Sequence, residues 1–165
     1  LNIRDDDTAM TTVPQMLSKC RRLKSRYGLG LVVVDHIQLV RSAKNYDGNA
    51  RHQEVSDISR DLKMLAKELG VPVLALSQLS RGVTGRKGGV PMLSDLKESG
   101  SIEQDADIVM FLYREDYYNE DGKPKTNTAD LIVAKNRHGE TKEIALQWIG
   151  QFSTFVSRET KRNEA

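Results

Sequence analysis

The sequence predicts an α/β fold in which a mostly parallel central sheet carries helices on both faces and is followed by a C-terminal antiparallel hairpin. Two observations predict the parallel part. Residues 30–35 and 71–78 are apolar on both faces, as central parallel strands are, and a long amphipathic helix separates them. The hairpin is predicted because residues 128–150 alternate apolar and polar side chains around a His-Gly pair. We expect residues 1–165 to form a single domain.

The two long helices are predicted from their caps and from the spacing of their apolar residues. Thr12 is the predicted N-cap of the first helix, and residues 13–27 repeat apolar side chains at helical spacing. Cys20 belongs to this stripe and is interpreted as a small core residue. The second helix covers residues 51–69 and ends at Gly70. Its apolar stripe predicts five core positions, which are Val55, Ile58, Leu62, Leu65 and Leu69.

The remaining elements are shorter. Residues 1–3 are predicted to end a strand, and residues 107–114 to form a third buried strand. Residues 79–92 combine glycines with basic side chains, which predicts a mobile loop. Residues 93–107 are predicted to be helical with an interruption at a glycine, and residues 151–158 to add an edge strand.

Composition narrows the classes of protein to which the chain can belong. Apolar residues make up 38% and charged residues 29%, which is an ordinary balance for a soluble protein. The net charge is only +2, so binding to nucleic acid must come from local basic groups. No apolar run has the length of a membrane span, so no membrane partner is expected. The single cysteine cannot form an internal disulfide, which suits a cytoplasmic protein.

A polar side chain follows each of the two apolar strands. Asp35 ends the run LGLVVVD, and Gln78 ends VLALSQ. Ligands of parallel sheets bind beyond the carboxyl ends of the strands, so both side chains are candidates. Apolar residues followed by Asp form the Walker-B pattern, which holds Mg²⁺ for a nucleotide. An amide can bond a γ-phosphate or an attacking water without adding negative charge. A strand-capping carboxylate and a loop-bonding amide remain the simpler alternatives.

Four motifs are more specific together than any one of them is alone. They are VVVDHIQL, SRDLKMLAKELGVPVLALSQLSRG, PMLSDLKESGSIEQDADIVMFLYR and IVAKNRHG. In this order and spacing, essentially the whole chain closely resembles the C-terminal motor domain of DnaB-type replicative DNA helicases, a RecA-like ATPase. The stretch from Ser94 to Arg114 is the most diagnostic, because more distant RecA-like proteins share the architecture but not this sequence.

The resemblance implies a RecA-like fold and an ATP-dependent 5′–3′ DNA helicase. Such an enzyme couples ATP hydrolysis to translocation on single-stranded DNA and unwinds the duplex at the replication fork. The resemblance also implies that ATP and Mg²⁺ are the cofactors, that the parent protein is a homohexamer, and that primase and a helicase loader are partners. The expected location is cytoplasmic.

The resemblance also assigns roles at the nucleotide site. Asp35 matches the Walker-B acid that supports Mg²⁺, and Gln78 matches the glutamine that senses the γ-phosphate. Lys135 and Arg137 match the pair that reaches into the nucleotide site of the neighbouring subunit, with Arg137 as the arginine finger. His36 stands where the family commonly has an aromatic residue, and we predict that it packs and has no catalytic role.

The candidates for DNA binding lie in two adjacent segments. Lys97, Glu98 and Gly100 match the family loop that follows the DNA backbone through the central channel of the hexamer. In that family, main-chain amides and one basic side chain make the contact. The glycine-rich loop upstream offers further candidates for phosphate contact, because glycine lets the backbone approach closely. These are Arg81, Arg86 and Lys87.

One motif of the family does not occur in the 165 residues. They contain no GxxxxGK[ST] phosphate loop and no catalytic glutamate in the usual place after it. We interpret the chain as a fragment whose phosphate loop precedes Leu1, and we expect it to hydrolyse ATP poorly by itself. Two alternatives stay open: another RecA-like ATPase, such as a recombinase or a phage primase-helicase, and a non-catalytic DnaB-like binding paralogue.

Overall fold

The computed structural model describes residues 2–44, 46, 50–86, 88–117 and 125–158, without the side chains of residue 81 and of residues 97–100. The chain divides into two compact units. The first consists of Leu1–Gln78 and Glu98–Ala106, and the second of Leu79–Lys97 and Asp107–Ala165. The expectation of a single domain stays a prediction.

The first unit combines two parallel strands with three helices. Strand β1 covers Val32–Val34 and strand β2 covers Val73–Ala75, and the two strands pair in parallel. Helix α1 covers Val13–Tyr27, helix α2 covers Arg51–Leu69, and the short helix α3 covers Gly100–Asp105. Helix α2 packs against α1, α3 and β2, and it therefore forms the centre of this unit. None of the described helices is long and apolar enough to cross a membrane.

Local sequence signals explain where the two long helices begin and end. The backbone N–H of Thr12 donates to Oε1 of Gln15 at 2.9 Å, so the first turn of α1 is capped where the sequence predicts it. Gly70 ends α2 with a φ of 60°, a left-handed conformation that favours glycine. The five predicted core residues of α2 are all buried. In α1 only Val13 is fully buried, and Cys20 is half-buried; this burial raises the pKa of its thiol.

The parallel strands are covered on one face only. Val34 is buried, whereas Val33 is 56% exposed and Leu74, its partner across the sheet, is exposed as well. Leu31 and Leu76 are also exposed. Successive side chains of a strand point to opposite faces, so the helices that pack on one face leave the other uncovered. The predicted burial of β1 and β2 therefore holds for one face in the described part of this chain.

The second unit contains a four-stranded antiparallel sheet in the order β3–β4–β5–β6. Its strands are Ile108–Tyr113, Thr128–Asn136, Lys142–Ile149 and Thr154–Ser157. Strands β4 and β5 form the predicted hairpin, and β6 is the predicted additional strand at one edge. The α/β fold class is therefore confirmed.

Two details of the strand prediction are corrected by the structure. Strand β3 is not a third strand of the parallel sheet, because it pairs antiparallel with β4 at the other edge of the second sheet. Its burial alternates along the strand, with Val109, Phe111 and Tyr113 buried. The sequence could not show this, because both faces of IVMFLY are apolar. Near the N-terminus, Asn2 and Ile3 lie in no regular element, whereas the sequence predicted a strand end there.

Candidate nucleotide and DNA site

Strands β1 and β2 bring Asp35 and Gln78 to the same edge of the first unit. Asp35 follows β1 directly, and Gln78 lies three residues beyond β2. Backbone pairing continues past the strands, since Leu76 N–H donates to the Val34 carbonyl and Ile37 N–H donates to the Leu76 carbonyl, both at 2.9 Å. The two polar residues therefore flank a corner that main-chain hydrogen bonds hold together.

The carboxylate of Asp35 is presented to solvent. Its side chain is 71% exposed, and one carboxylate oxygen lies 3.7 Å from Nδ1 of His36. The peptide bond between these two residues is cis. Nowhere in the described ranges do three His, Cys, Asp or Glu side chains group to hold a metal ion. A single exposed carboxylate does not suit Zn²⁺, but it suits Mg²⁺, which binds through one or two carboxylates together with phosphates and waters.

Gln78 is exposed, and its main chain is held by a residue that sequence reasoning missed. Its backbone N–H donates to Oε1 of Gln38 at 3.3 Å, and Nε2 of Gln38 donates to Oγ of Ser77 at 3.0 Å. The carbonyl of Gln38 accepts from Arg51 at 2.7 Å. The signal that was available is a lone polar residue inside the apolar stretch 37–40.

The candidate arginine finger lies in the turn that joins β4 to β5. A hairpin that turns at the His-Gly pair predicts Arg137 within the strand, two residues after Lys135. Strand β4 instead ends at Asn136, so Arg137 is the first residue of the turn. Its backbone N–H donates to the Asp107 carbonyl at 2.8 Å. Its Nη1 lies 3.2 Å from Oδ1 of Asp107, and the two side chains are 48% and 45% exposed. Lys135 lies within β4 opposite Val109, beside a bulge in the pairing with β3.

The glycine-rich loop is held together by a buried carboxylate. Arg86 donates to the Val90 carbonyl at 2.9 Å and forms a salt bridge with Asp95, whose side chain is only 5% exposed. Asp95 also accepts from the backbone N–H of Met92 at 2.8 Å. Burial alone would raise the pKa of Asp95, but the bonds from Arg86 and Met92 outweigh burial and lower it. Asp95 is therefore ionised at neutral pH, and it connects Arg86 to the backbone of Met92.

The other candidates for DNA binding are described in part. Lys87 lies outside the described residues. For Arg81, Lys97, Glu98 and Gly100 the structure describes the backbone. Arg81 begins a short 3₁₀ turn, and Lys97 and Glu98 lie in the 3₁₀ segment that precedes α3. The sequence predicted an interruption at Gly100, but the kink lies at Leu96, and at Gly100 the segment changes from 3₁₀ to α-helical geometry.

Comparison with known proteins identifies the family. The family model of the DnaB-like helicase C terminal domain matches residues 1–157. The chain belongs to this family. The Replicative DNA helicase DnaB of Geobacillus stearothermophilus is 52% identical over 160 residues, which cover 97% of this chain and 35% of that protein. The Replicative DNA helicase DnaC of Bacillus subtilis (strain 168) is 49% identical over 160 residues, with the same coverage. The chain thus spans 35% of the length of these two relatives.

Solved structures show the same fold. One solved ATPase domain superimposes with a TM-score of 0.85 at 45% identity, covering 93% of this chain and 54% of that one. A DnaB-like replicative helicase, studied for its interactions with primase, superimposes with a TM-score of 0.85 at 45% identity, covering 93% of this chain and 36% of that one. The predicted RecA-like fold and the resemblance to DnaB-type helicases are therefore confirmed.

Proposed function

We propose that this chain acts as a replicative helicase motor that couples ATP hydrolysis to 5′–3′ translocation on single-stranded DNA and to unwinding of the duplex at the replication fork. The observation that carries the proposal is the pair of polar side chains at one edge of the first unit. There, an exposed carboxylate and an exposed amide follow two paired parallel strands of a RecA-like fold. Membership of the DnaB-like helicase family and the names of the relatives support the same conclusion.

At this edge, Asp35 would hold Mg²⁺ and Gln78 would face the terminal phosphate of ATP. When bound, Mg²⁺ neutralises charge that develops on the phosphates. Asp35 can bind Mg²⁺ without breaking a close contact within the protein, because most of its side chain is exposed and its carboxylate lies 3.7 Å from Nδ1 of His36. The amide of Gln78 can donate to a phosphate oxygen or accept from a water, and it adds no charge to an anionic site.

The proposed active site is completed by other segments. The 165 residues contain no GxxxxGK[ST] motif to cradle the β- and γ-phosphates, so we propose that they hydrolyse ATP poorly by themselves. We further propose that the parent protein is a homohexamer. In it, Lys135 and Arg137 of one subunit reach the nucleotide of the next, and Arg137 acts as the arginine finger. Both residues are at or beside an exposed turn, a suitable position for contacting another subunit.

The DNA grip is assigned to the segment around Lys97, Glu98 and Gly100. Phosphate contacts position a protein on DNA without reading its sequence, as a translocating motor requires. Arg81 and Lys87 are additional candidates, whereas Arg86 already bonds Asp95. Primase and a helicase loader are the proposed partners. The structural neighbour that was studied with primase supports the first of these.

The test of the proposal is Asp35→Asn in the full-length protein that carries this chain. The substitution keeps the shape of the side chain and removes the charge that would hold Mg²⁺. We expect ATP hydrolysis to fall by at least about 10²-fold, while thermal stability stays near wild type because the side chain is exposed. Exposed Asp5 provides the matched control, Asp5→Asn. Wild-type turnover by the Asp35 variant would mean that Asp35 only caps the strand.

A further inference from the structure

The side chain of Gln38 bridges the ends of the two parallel strands. Gln38 lies in the 3₁₀ turn Ile37–Leu39, three residues after Asp35. Its Nε2 donates to Oγ of Ser77 at 3.0 Å, and its Oε1 accepts from the backbone N–H of Gln78 at 3.3 Å. The nitrogen and the oxygen of one side-chain amide thus bond two consecutive residues that follow strand β2.

The main chain of Gln38 is itself anchored to helix α2. Its carbonyl accepts from Arg51, the first residue of that helix, at 2.7 Å. Arg51 also pairs with Glu54 of the same helix, and Glu54 accepts from the backbone N–H of Ser42 at 3.2 Å. Gln38 is therefore fixed on one side by charged groups at the start of α2, and on the other side it holds the backbone of Gln78.

We propose that Gln38 is a positioning residue for Gln78: it fixes the backbone from which the Gln78 amide reaches the terminal phosphate of a nucleotide. The proposal rests on the function proposed for Gln78. The side chain of Gln78 is exposed, so packing does little to orient it. Its direction depends on the backbone, whose N–H donates to Gln38 and whose carbonyl accepts from Oγ of Ser77, both at 3.3 Å. A displacement of about 1 Å at a reacting group can cost about 10²-fold in rate, so a bond to the main chain of Gln78 has a measurable consequence.

The experiment uses Gln38→Met in the full-length protein, with ATP, Mg²⁺ and single-stranded DNA. Methionine has a similar length and fills the same space, but it can form neither hydrogen bond of the amide. We expect kcat for ATP to fall about 10- to 100-fold while KM changes by less than about threefold, because ground-state binding is little affected. Exposed Gln53 in α2 gives the matched control, Gln53→Met, which should behave as wild type.

A double-mutant cycle distinguishes positioning from a general structural role. If Gln38 acts through Gln78, the loss caused by Gln38→Met should disappear in a Gln78→Ala background, because the group that it positions is gone. An equal loss in both backgrounds would overturn the proposal. Wild-type activity of Gln38→Met would overturn it as well. If Gln38→Met does not fold, the milder Gln38→Asn draws the amide back by one methylene group from Ser77 and Gln78, and its smaller loss should show the same dependence on Gln78.

The same set of variants separates this proposal from the proposed function. If Asp35→Asn and Gln78→Ala both retain wild-type hydrolysis, the nucleotide site itself has been assigned wrongly. If both collapse while Gln38→Met remains active, the site stands and only the positioning role fails.

Discussion

Two arginines of the second unit, Arg86 and Arg137, differ in the aspartates that hold them. The sequence made both candidates for phosphate contact, and in the structure each forms a salt bridge with an aspartate. Arg86 pairs with Asp95, which is 5% exposed and also accepts from a backbone amide. Arg137 pairs with Asp107, which is 45% exposed. The two guanidinium groups are therefore not equally available to an incoming phosphate.

The burial of the carboxylate decides this availability. An ion pair between exposed groups contributes about 0–1 kcal/mol, so Arg137 can exchange Asp107 for a phosphate at little cost. If Arg86 left Asp95, a buried carboxylate would lose a charged partner, and such a loss is strongly destabilising. Arg137 is therefore suited to chemistry between subunits, and Arg86 to holding the shape of its own loop. Three predictions test this difference.

The largest effect is expected at Arg137. An arginine finger stabilises the charge of the transferring phosphoryl group and contributes about 10³- to 10⁵-fold in rate. In the full-length protein, Arg137→Ala should abolish ATPase and unwinding activity, and Arg137→Lys should also fail, because an ammonium group lacks the planar fork. Nucleotide binding to the same subunit should remain. Asp107→Asn should leave turnover close to wild type, and exposed Arg22 offers a control in Arg22→Ala.

Mixing subunits tests whether this arginine acts on the neighbouring subunit. In the proposed hexamer, a ring assembled from Arg137→Ala and Asp35→Asn subunits would contain some sites in which the acid and the finger are both wild type. If Arg137 acts in trans, ATPase activity should therefore reappear and depend on the mixing ratio. A structure with a transition-state mimic gives the direct measurement. Contact between Arg137 and the nucleotide of its own subunit would refute the trans mechanism.

The next effect is a loss of stability at Asp95. Asp95→Asn keeps the shape but weakens the bonds to Arg86 and Met92, and it should lower the free energy of unfolding by about 1–3 kcal/mol. Arg86→Met should cost more, about 3–5 kcal/mol, because it leaves the buried carboxylate of Asp95 without its charged partner. The double variant should cost less than the sum of the two single variants. Thermal and denaturant unfolding measure the stability of the single and double variants. Additive losses would show that the two side chains are not coupled.

The acid dependence of unfolding provides a second reading of the same pair. In the folded state the pKa of Asp95 lies below the ordinary aspartate value of 3.8, so the unfolded chain binds the proton more readily. The stabilisation is therefore complete well above pH 3.8 and is lost as the pH falls through the lower pKa of the folded state. Asp95→Asn should remove this part of the pH dependence. If the acid transition is unchanged in this variant, other carboxylates cause the loss of stability at low pH.

Features within one element were predictable from the sequence. The apolar stripe of α2 repeats at helical spacing, so its buried face could be named in advance. Asp35 and Gln78 could be named as candidates because a polar residue that ends an apolar run stands out without knowledge of the partner strand. The partner of β3 was not predictable, because an apolar run on both faces fits a parallel and an antiparallel neighbour equally well.

Contacts between distant residues were the features that the sequence could not supply. Gln38 holds the backbone of Gln78, which lies 40 residues further along the chain, and no local pattern marks that pair. Arg86 and Asp95 are closer in sequence, yet the composition of their loop predicted mobility and gave no indication of a buried carboxylate. The sequence therefore located the polar residues at the strand ends, and the structure added the groups that orient them.

The smallest expected effect concerns DNA and sharpens the role of Arg86. Lys97→Ala should weaken binding of single-stranded DNA to a similar extent for all sequences, because phosphate contacts carry no base information. The slope of log affinity against log salt should decrease by about one unit or less for each lost contact.

Arg86→Met should leave that slope unchanged if the Arg86 guanidinium stays bound to Asp95. Lys125 is exposed, and Lys125→Ala therefore serves as the control. Titrations at several salt concentrations, below the unfolding temperature of each variant, give the slopes. A decrease for Arg86→Met equal to that for Lys97→Ala would show that Arg86 leaves its buried partner to contact DNA. In that case burial of the carboxylate would not decide which arginine is available.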